Sequence, residues 1–131
     1  MNQIKKDILI IDDDVIYQFT AKKIIESTSL ANSIQAFDTA KLALTELQNK
    51  LQNKEPLPAI ILLDINMPEM NGWQFLEVFE QKIMPFSQKI DIYMVTSSLD
   101  DNDIQKSKQY RLVKDYLVKP LHRETVIKIL S

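Results

Sequence analysis

The sequence predicts an α/β domain, a doubly wound parallel sheet of five strands with helices on both faces. Three observations predict it. Two short apolar runs, Ile8-Leu9-Ile10-Ile11 and Ala59-Ile60-Ile61-Leu62-Leu63, are continuous and not alternating, the pattern of parallel strands covered on both sides. Each run ends in carboxylates, the first in Asp12-Asp13-Asp14 and the second in Asp64. Strand-like runs alternate with helix-like periodic segments along the whole chain, as repeated βα units do.

The elements follow in order. The first strand falls near 7–12. A helix near 15–28 carries Ile16, Phe19, Ala21, Ile24 and Ile25 on one side. A second strand near 33–37 precedes a helix near 39–51 bearing Leu42, Ala43, Leu44 and Leu47. Polar residues 48–55 close that helix, and Pro56 and Pro58 forbid its continuation. The third strand, near 59–64, leads to a helix near 71–82 with Phe75, Leu76, Val78 and Phe79. The fourth strand is Asp91 to Val95, and the helix after it, near 100–110, is polar. The fifth strand lies near 113–118, and a last helix near 122–130 carries Val126, Ile127, Ile129 and Leu130.

Composition narrows the function classes. At 131 residues the chain is one domain by the usual span of roughly 100–200 residues each. Its 45% hydrophobic content can build a core. No run of apolar residues is long enough to span a membrane, and the first residues lack the apolar stretch of a signal peptide. Sixteen basic and 18 acidic residues give a net charge of −2, which gives no reason to expect nucleic-acid binding. Cysteine is absent, so thiolate nucleophiles, thiolate metal sites and disulfides are excluded. A single glycine, Gly72, excludes dinucleotide fingerprints and phosphate-cradling glycine loops. The expectation is a soluble, single-domain, cytoplasmic protein.

In an open parallel sheet, ligands bind at the carboxyl ends of the strands. Asp12, Asp13 and Asp64 therefore meet on one edge, where crowded carboxylates call for a hard cation between them. The carboxylates are not alone. Leu63-Asp64-Ile65-Asn66-Met67-Pro68-Glu69-Met70-Asn71-Gly72, then Thr96-Ser97 and Lys119-Pro120, follow Asp12-Asp13 in order with the right elements between them. Together these motifs resemble the receiver domain of bacterial response regulators, over essentially the whole chain.

The resemblance implies a flavodoxin-like (βα)5 fold with strand order 2-1-3-4-5; the expectation is a single receiver domain over residues 1–131, with no output domain. It implies a phosphorylation-dependent switch of a two-component or phosphorelay system. Asp64 is the expected phosphoacceptor, and a carboxylate is a competent nucleophile at phosphorus. Magnesium, or manganese, is the expected cofactor, held by Asp13 and Asp64 with the backbone carbonyl of Asn66, while Asp12 acts through bound water. Lys119 supplies positive charge, Thr96 a hydroxyl for a phosphoryl oxygen, and small Ser97 leaves room beside them. Tyr116 matches the family's switch aromatic; the competing reading is a strand aromatic packed permanently in the core. The expected partners are a histidine kinase or histidine phosphotransfer protein, and a downstream protein target on the face of the fourth helix, fifth strand and fifth helix. The protein is then no enzyme, apart from magnesium-dependent self-phosphorylation and autodephosphorylation.

Asp14 and Ser98 read as helix-cap residues outside the site, and His122 as an exposed residue at the start of the last helix. Pro68 and Gly72 read as turn chemistry, and Pro120 as cis by resemblance. Where the family often has glycine before the fifth strand, this chain has Arg111-Leu112, which bears on how the fourth helix ends. Two other readings stand. Asp12 and Asp14 resemble the nucleophile and general acid of haloacid-dehalogenase-like phosphatases, which leaves Asp64 unexplained. The third is a receiver-fold interaction module that is never phosphorylated.

Overall fold

The computed structural model describes residues 5–97 and 100–131, with Ser107 described by its backbone alone. Five parallel strands, β1 (Lys6–Ile11), β2 (Ala31–Phe37), β3 (Ile60–Asp64), β4 (Asp91–Thr96) and β5 (Val113–Val118), form one sheet in the order β2-β1-β3-β4-β5. Helices α1 (Val15–Thr28), α2 (Ala40–Gln52), α3 (Gly72–Lys82), α4 (Asp101–Ser107) and α5 (Arg123–Leu130) connect and follow them. A 3-10 turn, Met84–Phe86, lies between α3 and β4 and was not expected from the sequence. No helix of the described residues is long and apolar enough to cross a membrane.

The central strands account for the continuous apolar runs. Every residue of β3 is buried, as are Ile8 to Ile11 of β1. Because strand side chains alternate between faces, each strand feeds two layers. Leu9, Ile11, Ile61, Leu63, Ile92 and Met94 pack with α2 and α3, whereas Ile8, Ile10, Ile60, Leu62, Tyr93, Val95 and Leu117 pack with α1 and α5. Edge strands β2 and β5 are only partly covered.

Local chemistry sets the helix starts. Asp14 caps α1 by accepting from the Ile16 and Tyr17 amides at 3.0 and 3.2 Å. Thr39 caps α2 through the Leu42 amide at 3.1 Å. Asn71 and Gln74 form a reciprocal capping box at α3, each bond 2.9 Å. Asp100 caps α4 through the Asn102 amide at 2.7 Å. His122 is the exposed residue before α5, as expected, and its side chain makes no cap bond. The cap expectation for Ser98 lies outside the described residues.

Three expectations are corrected. The buried stripe of α1 is Tyr17, Ala21 and Ile25, at steps of four along one face, while Ile16 and Phe19 are 77% and 62% exposed. Leu42 of α2 is likewise exposed, with Ala40, Ala43, Leu44 and Leu47 making the packed face. The fourth helix ends at Ser107, not near 110: the Gln109 amide turns back to the Lys106 carbonyl at 3.1 Å, and Tyr110 stacks on Trp73 with ring centroids 5.6 Å apart.

An acidic edge bridged by one lysine

The four strand ends that carry the motif residues lie side by side. Ile11 pairs with Leu63, so Asp12, the next residue, stands beside Asp64. Asp64 pairs with Val95, and Thr96 with Val118, so Lys119 follows alongside the end of β4. Backbone bonds lock this row: the Asp12 amide donates to the Phe37 carbonyl at 3.0 Å, the Ile65 amide to Val95 at 3.1 Å, and the Lys119 amide to Thr96 at 2.8 Å. The Lys119–Pro120 peptide is cis, as expected. Asp12, Asp64 and Thr96 are buried, Asp13 and Ser97 exposed.

Asp12, Asp13 and Asp64 can each offer a carboxylate oxygen with all three within 4.8 Å of one another. That donor set, all hard oxygen, fits a divalent cation of the magnesium or calcium type. Lys119 is the positive charge that the structure itself provides. Its Nζ is 2.8 Å from Asp12 Oδ2 and 3.9 Å from Asp64 Oδ1. Asp12 Oδ1 accepts the Asp14 amide at 2.9 Å, and its backbone carbonyl accepts the Gln18 side-chain amide at 2.6 Å. The Asn66 amide lies 3.3 Å from Asp64 Oδ1.

Electrostatics show how stressed this edge is. Burial pushes the Asp64 carboxyl up to about 7; Asp12 adds to the rise, while Lys119 and the Asn66 amide oppose it. Burial also raises Asp12, against the pull of Lys119 and the Asp14 amide. One ammonium does not fully compensate two buried carboxylates.

The loop after Asp64 departs from the expected turn chemistry. Gly72 does not take a positive φ; among the loop residues Glu69 does, at 67°. Gly72 is instead the first residue of α3, and a Cβ there would meet the Asp64 carbonyl oxygen at 2.6 Å. Glycine lets the helix start directly against the strand end that bears Asp64.

On the far side of the site, Tyr116 of β5 is half-buried, and its hydroxyl donates to the Asp103 carbonyl in α4. Trp73 donates its indole N–H to Asp103 Oδ1 at 3.3 Å, and Lys106 sits 5.6 Å from the Trp73 ring centre. The structure thus brings Asp12, Asp13, Asp64 and Lys119 together, with Thr96 at the adjoining end of β4 and Tyr116 paired with Met94 in the neighbouring strand β5. Sequence reasoning missed Tyr17, Gln18 and Trp73. Nothing in the sequence singles out Tyr17 or Gln18, because apolar residues surround α1 and only packing selects the face of Tyr17, Ala21 and Ile25.

Asp14 bears on the phosphatase reading. Its carboxylate is committed to capping α1, which removes it as a general acid beside Asp12.

A five-stranded parallel sheet with paired acids, a hydroxyl and a lysine at its carboxyl edge has the architecture of a signalling receiver domain. The chain belongs to the response regulator receiver domain family, whose profile matches residues 8–131. A solved two-component response regulator from Cytophaga hutchinsonii is 34% identical with a TM-score of 0.86, covering 97% of this chain and 98% of that one. Among curated proteins, the probable C4-dicarboxylate response regulator DctR of Halalkalibacterium halodurans is 30% identical over 86% of this chain, which spans 44% of its length. Chemotaxis protein CheY of Treponema pallidum is 27% identical over 92% of this chain and 77% of its own.

Proposed function

We propose that Asp64 is the phosphoacceptor of a two-component or phosphorelay switch, taking the phosphoryl group of a phosphohistidine donor. The observation that carries this is Lys119 Nζ set between Asp12 and Asp64, 2.8 and 3.9 Å away, with Asp13 close by on the exposed side. An Asp64 carboxylate oxygen forms the new bond to phosphorus as the bond from phosphorus to the histidine nitrogen breaks, and that nitrogen keeps the electron pair. Phosphoryl transfer asks mainly for positioning and for neutralised charge on the phosphoryl oxygens. Lys119 supplies one positive charge there, and the Thr96 hydroxyl, at the end of β4, a hydrogen bond. Asp13, Asp64 and the Asn66 carbonyl, with Asp12 through water, would hold magnesium or manganese, which when bound supplies the remaining neutralisation. The same groups serve self-phosphorylation by small donors and hydrolysis of the acyl phosphate. The location is cytoplasmic in this reading.

The donor surface is supported by the exposed side chains of α1. Val15, Ile16 and Phe19 are 65%, 77% and 62% exposed, and they begin one residue after the acidic triplet. Exposed apolar side chains that begin beside the acidic triplet suit a protein donor whose histidine must reach Asp64. The outgoing signal leaves through α4, β5 and α5, with Thr96 and Tyr116 as the relay.

One labelling experiment tests both statements. With phosphoramidate and magnesium, intact mass should show one added phosphoryl group on the native protein and none on Asp64→Asn. The double variant Ile16→Ala, Phe19→Ala should lower transfer from a phosphorylated histidine protein about ten-fold relative to labelling by phosphoramidate, as expected when apolar anchors are truncated. Equal labelling of the Asp64→Asn protein refutes the acceptor. An unchanged ratio refutes the donor surface.

A further inference from the structure

Lys119 leaves the end of β5 on a flexible four-carbon stem, and two carboxylates compete for it. A compact point charge of this kind has no geometry of its own to hold it in place. The structure supplies a seat: Lys119 Nζ lies 4.5 Å from the centre of the Tyr17 ring. Tyr17 is 7% exposed and anchored with Ala21 and Ile25 in the stripe that fixes α1 to the sheet. The lysine side chain is itself only 18% exposed, so its ammonium is largely stripped of water, where a ring face attracts a cation most strongly.

The ring, and not the hydroxyl, is what Tyr17 contributes. Among the described residues the buried Tyr17 hydroxyl has no hydrogen-bond partner. Removing an unpaired buried hydroxyl forfeits no bond. Filling space is also an insufficient account, because leucine or methionine would fill an apolar stripe without facing the ammonium with a negative ring surface.

We infer that Tyr17 is a positioning residue of the phosphoryl-acceptor site, its ring face seating the Lys119 ammonium between Asp12 and Asp64. The inference rests on the reading of Asp64 as acceptor. Preorganised charge is worth more than charge that must be gathered during the reaction. A seated ammonium keeps its 2.8 Å contact with Asp12 while staying 3.9 Å from Asp64, within reach of the place where phosphoryl oxygens arrive. No step of the chemistry passes through Tyr17 itself.

The test compares the native protein with Tyr17→Leu, which removes the ring, and Tyr17→Phe, which keeps it. In proton NMR the ε-methylene resonances of Lys119 should be shifted upfield by the ring current in the native and Tyr17→Phe proteins, and return to ordinary lysine positions in Tyr17→Leu. The rate of phosphorylation by phosphoramidate should fall about three- to ten-fold in Tyr17→Leu, and Tyr17→Phe should recover most of it. Unshifted Lys119 resonances in the native protein overturn the inference without any variant, so a poorly folded Tyr17→Leu does not shield it. Equal rates for the native and Tyr17→Leu proteins also overturn it, as does a Tyr17→Phe protein as slow as Tyr17→Leu. If the native protein takes no phosphoryl group on Asp64, the acceptor reading fails while the ring-current result still decides where Lys119 sits.

Discussion

Helices α1 and α4 both border the acidic edge, and they are built from opposite materials. Helix α1 runs 14 residues and buries Tyr17, Ala21 and Ile25 against the sheet. Helix α4 runs seven residues, and none of its described side chains is buried. It is held instead by polar and aromatic contacts, from the Trp73 indole and Tyr116 hydroxyl to Asp103, and from Lys106 to the Trp73 ring. Buried apolar surface resists displacement, whereas a few half-exposed hydrogen bonds open at small cost. The contrast suggests a division of labour. In the proposed reading the anchored helix aligns Asp12 and Lys119 for chemistry, and the lightly held one registers a phosphoryl group at Asp64.

The largest effect expected of the anchored side is a pH dependence. Burial holds the Asp64 carboxyl near 7, against an ordinary value of about 4. Between those values the native protein keeps a proton that the unfolded chain has lost. Stability from this group is therefore complete below about pH 4 and declines as pH rises to about 7. In chelator, the melting temperature should fall across that window, and Asp64→Asn should flatten the fall. Millimolar magnesium should raise the melting temperature at pH 7 by mass action, and Asp13→Asn should remove most of the gain. Because α1 is anchored by burial, the loss should appear as lower global stability, not as local loosening of α1. Selective amide exchange in α1 at pH 7 would break the comparison.

A smaller effect sharpens the other side. Asp103→Ala removes the acceptor of the Trp73 indole N–H, and Trp73 is 4% exposed. A buried donor left unpaired costs about 1–3 kcal/mol, and the partly exposed setting of Asp103 places the expected loss near the low end. Trp73 is the sole tryptophan, so its emission reports the change directly. Urea melts should show that loss, with hydrogen exchange in α1 rising only by the global loss and exchange in α4 rising beyond it. Equal protection of α4 in the native and Asp103→Ala proteins would show that this contact does not hold the helix.

The same contrast decides what could be read from sequence. The core of the site was legible because β1 and β3 are covered on both faces and so are written as unbroken apolar runs, each stopping at a carboxylate. Asp12 and Asp64 fall within a residue of a strand end for that reason, whereas Thr96 and Lys119, at the ends of β4 and the partly exposed β5, were legible through the family motif. The α1 face was not legible. Val15, Ile16, Tyr17, Phe19, Ala21, Ile24 and Ile25 surround the helix with apolar residues, and periodicity cannot choose a buried face when every face is apolar. The choice is made by tertiary packing, which places Tyr17 inward and leaves Ile16 and Phe19 outside. The end of α4 was hidden for the opposite cause: polar residues continue through Gln109, and the turn of the Gln109 amide to Lys106 and the stacking of Tyr110 on Trp73 show where the helix stops. Gly72 looked like a turn residue, but close approach to the Asp64 carbonyl explains it, and spacing alone carries no sign of that contact.

The central claim is that a phosphoryl group on Asp64 is felt by α4 and not by the core of α1. The most direct measurement is amide and side-chain NMR of the protein with magnesium, before and after addition of beryllofluoride, which stands in for the phosphoryl group. Large shifts are expected at Asp64, Thr96, Tyr116 and through α4, with a change in Trp73 and near-silence at Ala21 and Ile25. Shifts confined to the loop around Asp64, or spread equally through α1 and α4, would contradict it.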